Sequence, residues 1–248
     1  MAGPGGEICV DQGFALSDSG GNSYSWLPAS SLDDSTIAAP KASPTATTRY
    51  MVVAKTGSCI PDTNYVTVVV HLLPQVNAGS DQTIVAGNPA ALQGTVLNTS
   101  RQLWQPQNFV DCDSCINTTA HINQTTIFTL IAFSSYGCID SSHVTVNMIC
   151  DKKQVFIPNT FTPNGDGEND LFFPRGVGLK MIKTFRVYDR WGGLVFEKHD
   201  ISLNDESTAW DGTYMGGKPR PDVYVYTIDA ICETGEAISW KGDVTIIR

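Results

Sequence analysis

One short loop carries a regular series of side-chain oxygen atoms that could bind a cation. The residues stand at every second position, with glycines between the first three: Asn164, Asp166, Glu168 and Asp170. Ca²⁺ prefers oxygen ligands of this kind, but an EF-hand loop would need a bidentate Glu at its twelfth position, where Arg175 stands. The alternative is an Asx-rich turn whose carboxylates accept backbone N–H groups. The sequence leaves the calcium site and the turn open, and it predicts no cofactor that the chain requires.

The seven cysteines form the second group with possible chemistry. Several stand beside turn residues, which indicates disulfides and an oxidising compartment. We expect Cys9 and Cys59 to join the two sheets of one domain. Cys112 and Cys115 form a CxxC without a second ligand pair for zinc, so we expect a small local disulfide there.

The remaining three cysteines leave two pairings open. Cys150 and Cys232 flank the last part of the chain, and a bond between them leaves Cys138 unpaired. The competing assignment joins Cys138 to Cys150 and leaves Cys232 unpaired. We expect the first of these pairings.

Charge and histidine placement exclude several classes of function. The net charge of -9 argues against a nucleic-acid partner, which would require clustered Lys and Arg. No apolar run approaches the ~20 residues of a membrane-spanning helix. No histidine stands near a recognisable Ser or Cys nucleophile, and no glycine-rich phosphate loop opens a helix. We therefore expect neither an enzyme nor a membrane-spanning protein.

An internal repeat defines the elements around these residues. Trp26 and Trp104 are 78 residues apart, and Val66 and Val144 repeat the same spacing. Alternating β-branched and aromatic residues, bounded by turn residues, predict short strands in each copy. One tryptophan per copy is the expected centre of a small antiparallel β-sandwich. We predict an all-β chain with repeats at 7–73 and 74–150 and a further β-sandwich at 151–248.

The last ninety or so residues resemble the gliding motility-associated C-terminal domain, the type B sorting domain of the type IX secretion system of Bacteroidota. The matching segments occur in order: FIPNTFTPNGDGENDLF at 156–172, RVYDRWGGLVFE at 186–197, WDG at 210–212, DVYVYTIDAICETGE at 222–236 and KGDVTIIR at 241–248. The two repeats are similar to the PKD- or Ig-like repeats that precede this domain in large surface adhesins.

The resemblance implies a delivery function. Such proteins pass through the periplasm, are recognised by the type IX outer-membrane translocon with a PorP/SprF-family outer-membrane protein, and end secreted or on the cell surface. By analogy, the recognition residues are Arg190, Trp191, Gly192, Lys241, Gly242 and Arg248. We expect the chain to be the C-terminal part of a longer adhesin-like protein, with the repeats as a spacer or stalk.

Two alternatives stay open. The repeats could instead be carbohydrate- or protein-binding modules attached to a secreted enzyme, and an exposed aromatic platform on them would favour that function. Trp191 and Trp210 could each either pack at the edge of the core or face a partner.

Overall fold

The chain is an all-β protein in the computed structural model, which describes residues 1–217 and 220–247. Strands account for its regular structure apart from three short 3₁₀ turns, at Gln107–Phe109, Lys152–Gln154 and Glu206–Thr208. Within the described ranges, no helix has the length and apolar character needed to cross a bilayer. The predicted all-β fold is confirmed.

The first unit is a small sandwich of two sheets. Its strands are β1 (Gly6–Cys9), β2 (Phe14–Ala15), β3 (Ser23–Leu27), β4 (Lys41–Ala42), β5 (Thr48–Lys55) and β6 (Asp62–His71). Four of them form one sheet in the order β1-β6-β5-β3, and β2 pairs with β4 opposite. Trp26 and Tyr50 are fully buried between these layers.

The second unit repeats this design with two more short strands. It comprises β7 (Gln75–Asn77), β8 (Gln82–Val85), β9 (Ala90–Gln93), β10 (Thr95–Leu97), β11 (Arg101–Gln105), β12 (Asn117–Ala120), β13 (Thr126–Phe133) and β14 (Ile139–Ile149). The main sheet has the order β11-β13-β14-β8. Trp26 lies opposite Val52 on the neighbouring strand of the first unit, and Trp104 lies opposite Leu130 in the second. Trp104 follows Trp26 by 78 residues and Leu130 follows Val52 by 78, so the strand register is repeated with the sequence.

The C-terminal unit has one large sheet. Its strands are β15 (Val155–Phe156), β16 (Thr160–Phe161), β17 (Arg175–Gly176), β18 (Leu179–Tyr188), β19 (Leu194–Ile201), β20 (Asp222–Cys232) and β21 (Ala237–Ile246). Five of them form the sheet β16-β21-β20-β18-β19, while β15 pairs only with β17. The inner face is covered by loops, which contribute Ile157, Phe172, Leu203 and Trp210. An aromatic cluster fills the space between them, with Trp210, Phe172 and Phe161 buried there.

The main sheet of each unit contains one parallel pair. The strand pairs are β1 with β6, β8 with β14, and β16 with β21. In each pair the partner is the last strand of the unit. The main sheets are therefore antiparallel except at this edge, where the first strand of the sheet in chain order runs parallel to the last strand of the unit.

A disulfide crosses the joint between the first and second units. Cys138 lies in the turn between β13 and β14, and it is bonded to Cys9 at the end of β1. Beside this bond the rings of His71 and Tyr136 stack, with centroids 3.7 Å apart and planes 11° apart. Both contacts hold the hairpin of the second unit against the end of the first.

The expected bond between Cys9 and Cys59 is wrong, because these residues lie at opposite ends of the first unit. The parallel register places Cys9 beside His71, the last residue of β6. Cys59 precedes β6, which is 10 residues long and therefore about 30 Å from end to end. Cys59 is exposed and unpaired, whereas Cys138, expected to be unpaired, is bonded.

The second joint also contains a disulfide. Cys150, directly after β14, is bonded to Cys232 at the end of β20, which corresponds to the first of the two pairings left open above. Cys232 and Ile238 belong to the same hydrophobic cluster as the core of the second unit. The ammonium of Lys152 donates to the carbonyl of Ser239 at 2.9 Å. The C-terminal unit is thus packed directly against the second unit.

The third disulfide is local and joins Cys112 to Cys115 in the loop between β11 and β12. The carbonyl of Cys115 accepts the indole N–H of Trp104 at 3.0 Å. The CxxC loop therefore provides the hydrogen-bond partner that a buried tryptophan requires.

Candidate recognition surface of the C-terminal unit

The turn between β18 and β19 is organised by one carboxylate. Asp189 accepts the backbone N–H groups of Trp191 at 2.9 Å and Gly193 at 2.7 Å. Gly192 has a φ of 83°, a conformation that glycine adopts without steric cost. Gly193 in turn accepts the backbone N–H of Asp189 at 2.9 Å, which closes the turn. The sequence DRWGG therefore folds locally into a tight tip.

This turn places Trp191 in solvent. Its side chain is 87% exposed, whereas Trp210 is fully buried in the core of the same unit. The two tryptophans thus have opposite roles, and Trp191 is the one available to a partner. A large exposed indole is unusual on a free surface and common at the centre of interfaces.

An ion pair holds the neighbouring residue. The Arg190 guanidinium contacts the carboxylate of Asp222 at the start of β20. The hydrogen bond from Arg190, followed by the backbone N–H of Val223, lowers the pKa of Asp222. The same hydrogen bond raises the pKa of Arg190. The tip is in this way tied to the adjacent strand.

The segment after the WDG turn carries two further exposed side chains, and one of them, Tyr214, lines the same cleft as Trp191. Met215 is 87% exposed and Tyr214 is partly exposed. The segment is anchored to the core, because the buried Trp210 indole donates to the carbonyl of Thr213 at 3.0 Å. The Trp210 ring packs edge-on against Tyr224 with centroids 4.9 Å apart.

A cleft of about 410 Å³ separates the tip from this segment. Its lining combines aromatic side chains with charges of both signs: Asp189, Arg190, Trp191, Val195, Gly212, Tyr214, Gly217, Arg220, Asp222 and Tyr224. Burial, and next the charge of Asp222, raises the pKa of Tyr224, so its hydroxyl stays protonated at neutral pH. We call Trp191, Tyr214 and Met215 with this cleft the tip surface.

The other predicted recognition residues lie elsewhere. Lys241 is exposed in the middle of β21 and pairs with Thr227. Gly242 has a packing role, because a Cβ there would lie 2.5 Å from the hydroxyl of Tyr226. Arg248 lies outside the described residues. The structure brings together Arg190, Trp191 and Gly192, while Lys241 and Gly242 lie farther along the sheet.

The loop at 164–170 is an Asx-rich turn. Asp170 accepts three backbone N–H groups, from Asn164, Gly165 and Gly167, at 2.7–2.9 Å. These bonds lower the pKa of Asp170, that from Gly165 most. Asp166 accepts from the backbone of Glu168 and the side chain of Asn164.

These N–H donors point at the oxygen atoms that a cation would need. In the described part of the chain, no group of three or more His, Cys, Asp or Glu could hold a metal ion. The predicted calcium site at Asn164, Asp166, Glu168 and Asp170 stays a prediction that this hydrogen bonding does not support.

The sequence reasoning missed Tyr214 and Asp222, which line the same cleft as Trp191, and the exposed Met215 that follows Tyr214. The signal for them is weak, because the segment YMGG reads only as a turn. This segment follows Trp210, whose burial fixes where the segment lies. That burial could not be predicted from the residues that flank Trp210.

Comparisons with solved structures return tandem immunoglobulin domains at low similarity. The I9–I11 tandem from titin covers 98% of this chain and 95% of its own, with 10% identity and a TM-score of 0.37. The titin domains I67–I69, in an E-to-A variant, cover 99% and 96%, with 9% identity and a TM-score of 0.35. DIP-gamma IG1+IG2 covers 60% and 95%, with 13% identity and a TM-score of 0.33. TM-scores this low carry no argument for this chain, so the Ig- or PKD-like label of the repeats stays a prediction.

No curated protein matches the chain. The family model described as the CHU_C type IX secretion signal domain matches residues 155–246, which begin at β15 and end at the last residue of β21. The match includes the Trp191 tip and covers less than half of the chain. The C-terminal unit of this protein is thereby recognised as a type IX secretion signal domain.

Proposed function

We propose that the C-terminal unit, 151–248, addresses the protein to the type IX outer-membrane translocon through the tip surface. The family match at 155–246 is the observation that carries this proposal, because it indicates export and contact with the secretion machinery. The proposed recognition element is the exposed Trp191 indole beside the Arg190–Asp222 pair.

The physical character of the tip surface supports this role. Trp, Tyr and Arg are the residues that most often dominate binding energy at protein interfaces. The outer face of the sheet differs, since Arg186 and Glu197 are paired at 2.6 Å and Thr184 donates to Asp229 at 2.8 Å. These polar groups are paired within the molecule, whereas Trp191 is 87% exposed.

We further propose a PorP/SprF-family outer-membrane protein as the direct partner and the outer face of the outer membrane as the destination. The two repeats, with boundaries at 73/74 and 150/151, then act as a spacer between this anchor and whatever the protein displays. Placing a photo-crosslinking amino acid at position 191 tests the partner directly. A crosslink to a barrel of that family supports it, and a crosslink only to other translocon components excludes it.

The export function is tested with the complete chain, preceded by a general secretory signal peptide, in a bacterium that has a type IX system. The fraction outside the cell is compared with the fraction in the periplasm. Losing an interface tryptophan costs ~2 kcal/mol or more, or roughly thirtyfold in affinity. We therefore expect Trp191→Ala to accumulate in the periplasm, while the unchanged chain is exported.

Phe156→Ala is the matched control, since Phe156 is 65% exposed on β15 and is not among the residues that line the cleft. We expect this variant to be exported normally. Normal export of Trp191→Ala would exclude the tip surface as the recognition site. Failure of the unchanged chain to leave the periplasm would contradict the signal function itself.

The alternative function, ligand binding by the repeats, would be favoured by an exposed aromatic platform. Tyr65 and Tyr136 are the strongly exposed aromatic side chains of residues 1–150. The Arg49 guanidinium lies over the Tyr65 ring at 4.1 Å, and Tyr136 stacks on His71. Both rings are engaged within the molecule, which favours the spacer function for the repeats.

A further inference from the structure

The last hairpin of every unit carries a cysteine at or beside its turn. The residues are Cys59 between β5 and β6, Cys138 between β13 and β14, and Cys232 at the end of β20. We call this the tip end of a unit, and the opposite end, where the last strand stops, its tail end; in the C-terminal unit the tip surface around Trp191 lies at the tail end, since Cys232 pairs with Leu179 at the start of β18. Two of these cysteines, Cys138 and Cys232, are bonded across a joint.

Their partners both lie at the tail end of the preceding unit. Cys9 stands beside His71, the last residue of β6, and Cys150 follows Ile149, the last residue of β14. The rule is the same at both joints: the tip cysteine of one unit is bonded to the tail cysteine of the unit before it.

Cys59 occupies the same position without such a partner. Its backbone N–H donates to the carbonyl of Thr56 at 3.1 Å, and that of Gly137, next to Cys138, donates to Ser134 at 3.2 Å, so both hairpins end in a tight turn. Cys138 is 1% exposed beneath the first unit, whereas Cys59 is exposed. The next residue, Ile60, is 93% exposed.

A second feature of this end is a buried carboxylate. Asp18 is 6% exposed, and its two oxygen atoms accept no hydrogen bond. Its nearest cation is the ammonium of Met1 at 3.1 Å, an ion pair without hydrogen-bond geometry. The Cys59 turn is tied to the same region, because the Thr56 hydroxyl donates to the carbonyl of Gly20 at 2.9 Å. The tip end of the first unit therefore combines a free thiol, an exposed isoleucine and a buried carboxylate that accepts no hydrogen bond.

We propose that Cys59 forms a disulfide with a cysteine at the tail end of another β-sandwich domain, which docks on this end of the first unit and covers Ile60. The two thiols lose two protons and two electrons and form one S–S bond. A disulfide oxidant, such as oxidised glutathione or the disulfide of a thiol oxidase, accepts them and becomes two thiols. The inference does not depend on the secretion proposal, since it concerns the opposite end of the chain.

A tandem chain tests this docking with a defined probe. A copy of 1–74 that carries Cys59→Ser is placed before Met1 of the complete chain, so that its segment 72–74 reproduces the joint between the two repeats and the resident Cys59 is the only cysteine at that position. After oxidation with glutathione, unreduced peptides are mapped by mass spectrometry. We expect the Cys9 peptide of the added copy to be linked to the Cys59 peptide, and alkylation of Cys59 to be lost.

Two matched variants control the result. Cys59→Ser in the resident unit and Cys9→Ser in the added copy should each abolish the link and leave the Cys9–Cys138 bond of the resident chain intact. If Cys59 remains fully alkylated while fluorescence shows that the tryptophan of the added copy is buried, the proposal is overturned.

The protein isolated without reduction from the cells that make it gives a second measurement, which does not depend on folding of the added copy. A Cys59 peptide linked to a cysteine at the tail end of a β-domain supports the proposal. A free Cys59 thiol, or a link between two copies of Cys59, overturns it.

Discussion

At the residue scale, Asp189 shows how one side chain can build a recognition element. The backbone N–H groups of Trp191 and Gly193 both converge on its Oδ1 atom, which holds the turn in the form that points the indole into solvent. The exposed tryptophan itself makes few contacts, so the shape of the tip depends on the carboxylate rather than on packing of the ring.

Replacing this carboxylate should loosen the tip. Asp189→Ala removes both hydrogen bonds, and we expect it to lower the free energy of unfolding by about 1–2 kcal/mol, since an intramolecular hydrogen bond contributes ~0.5–1.5 kcal/mol. Amide hydrogen exchange at residues 191 and 193 should accelerate. Asp189→Asn keeps the oxygen and serves as the control. Equal exchange rates in Asp189→Ala and the unchanged chain would show that the turn does not depend on this residue.

The Arg190–Asp222 pair makes a pH-dependent contribution. Because the folded pKa of Asp222 is lowered from its ordinary value of 3.8, this stabilisation is present above pH 3.8 and is lost as the pH falls through the lowered pKa. Arg190→Gln should raise the Asp222 pKa toward its ordinary value, which carboxyl-carbon NMR titration measures. Arg190→Lys, which keeps a cation, should raise it less. An unchanged Asp222 pKa in Arg190→Gln would exclude the ion pair.

At the element scale, the long strands were predictable and their partners were less so. Alternating residues such as Val66 and Val68 mark β6, because inward-facing apolar side chains repeat every second residue. The parallel pairing of β1 with β6 has no such signal, since register and direction depend on contacts that are distant in sequence. The parallel pairing places Cys9 at the end of the first unit opposite to Cys59, and the predicted disulfide between them is wrong for this reason.

The tip surface was predictable only in part. The family motif pointed to Arg190 and Trp191, and the turn chemistry of the two glycines agreed with an exposed tip. Tyr214 and Met215 reach the same region because Trp210 anchors their segment in the core, and that burial comes from tertiary packing. The long 164–170 loop left two interpretations open for a similar reason: the same carboxylates can bind a cation or accept backbone N–H groups.

The loop gives a prediction at this scale. Since Asp170 already accepts three backbone N–H groups, we expect millimolar calcium to leave the melting temperature of the chain unchanged. Asp170→Ala should lower the melting temperature by a few degrees, with or without calcium, because it removes the acceptor that closes the loop. Differential scanning calorimetry measures both effects. Glu168→Ala is the control, since its backbone, not its carboxylate, takes part in the turn. A calcium-dependent rise in the unchanged chain would restore the calcium site.

At the scale of the whole molecule, the joints are as well defined as the units. A segment of only three residues, 72–74, connects the first two units, and the Cys9–Cys138 bond closes the joint on one side. The second joint combines Cys150–Cys232 with a shared hydrophobic cluster. A spacer that must hold a displayed segment away from its anchor benefits from such joints, because each one limits the bending between neighbouring units.

The first joint is the more dependent on its disulfide, because the first two units have separate hydrophobic clusters, whereas the second joint has a shared one. Beside the disulfide, Tyr136 stacks on His71. In a Cys59→Ser background, which prevents mispairing, we expect Cys9→Ser combined with Cys138→Ser to broaden the distribution of intramolecular distances in small-angle X-ray scattering. The near-ultraviolet circular dichroism of the buried tryptophans should be retained, since Trp26 and Trp104 lie within single units. The matched control is Cys112→Ser with Cys115→Ser, which removes a disulfide that spans three residues and crosses no joint. Its scattering should equal that of the Cys59→Ser chain. If both double variants scatter alike, then the short connection and the ring stack are sufficient to fix the joint, and the disulfide serves stability rather than geometry.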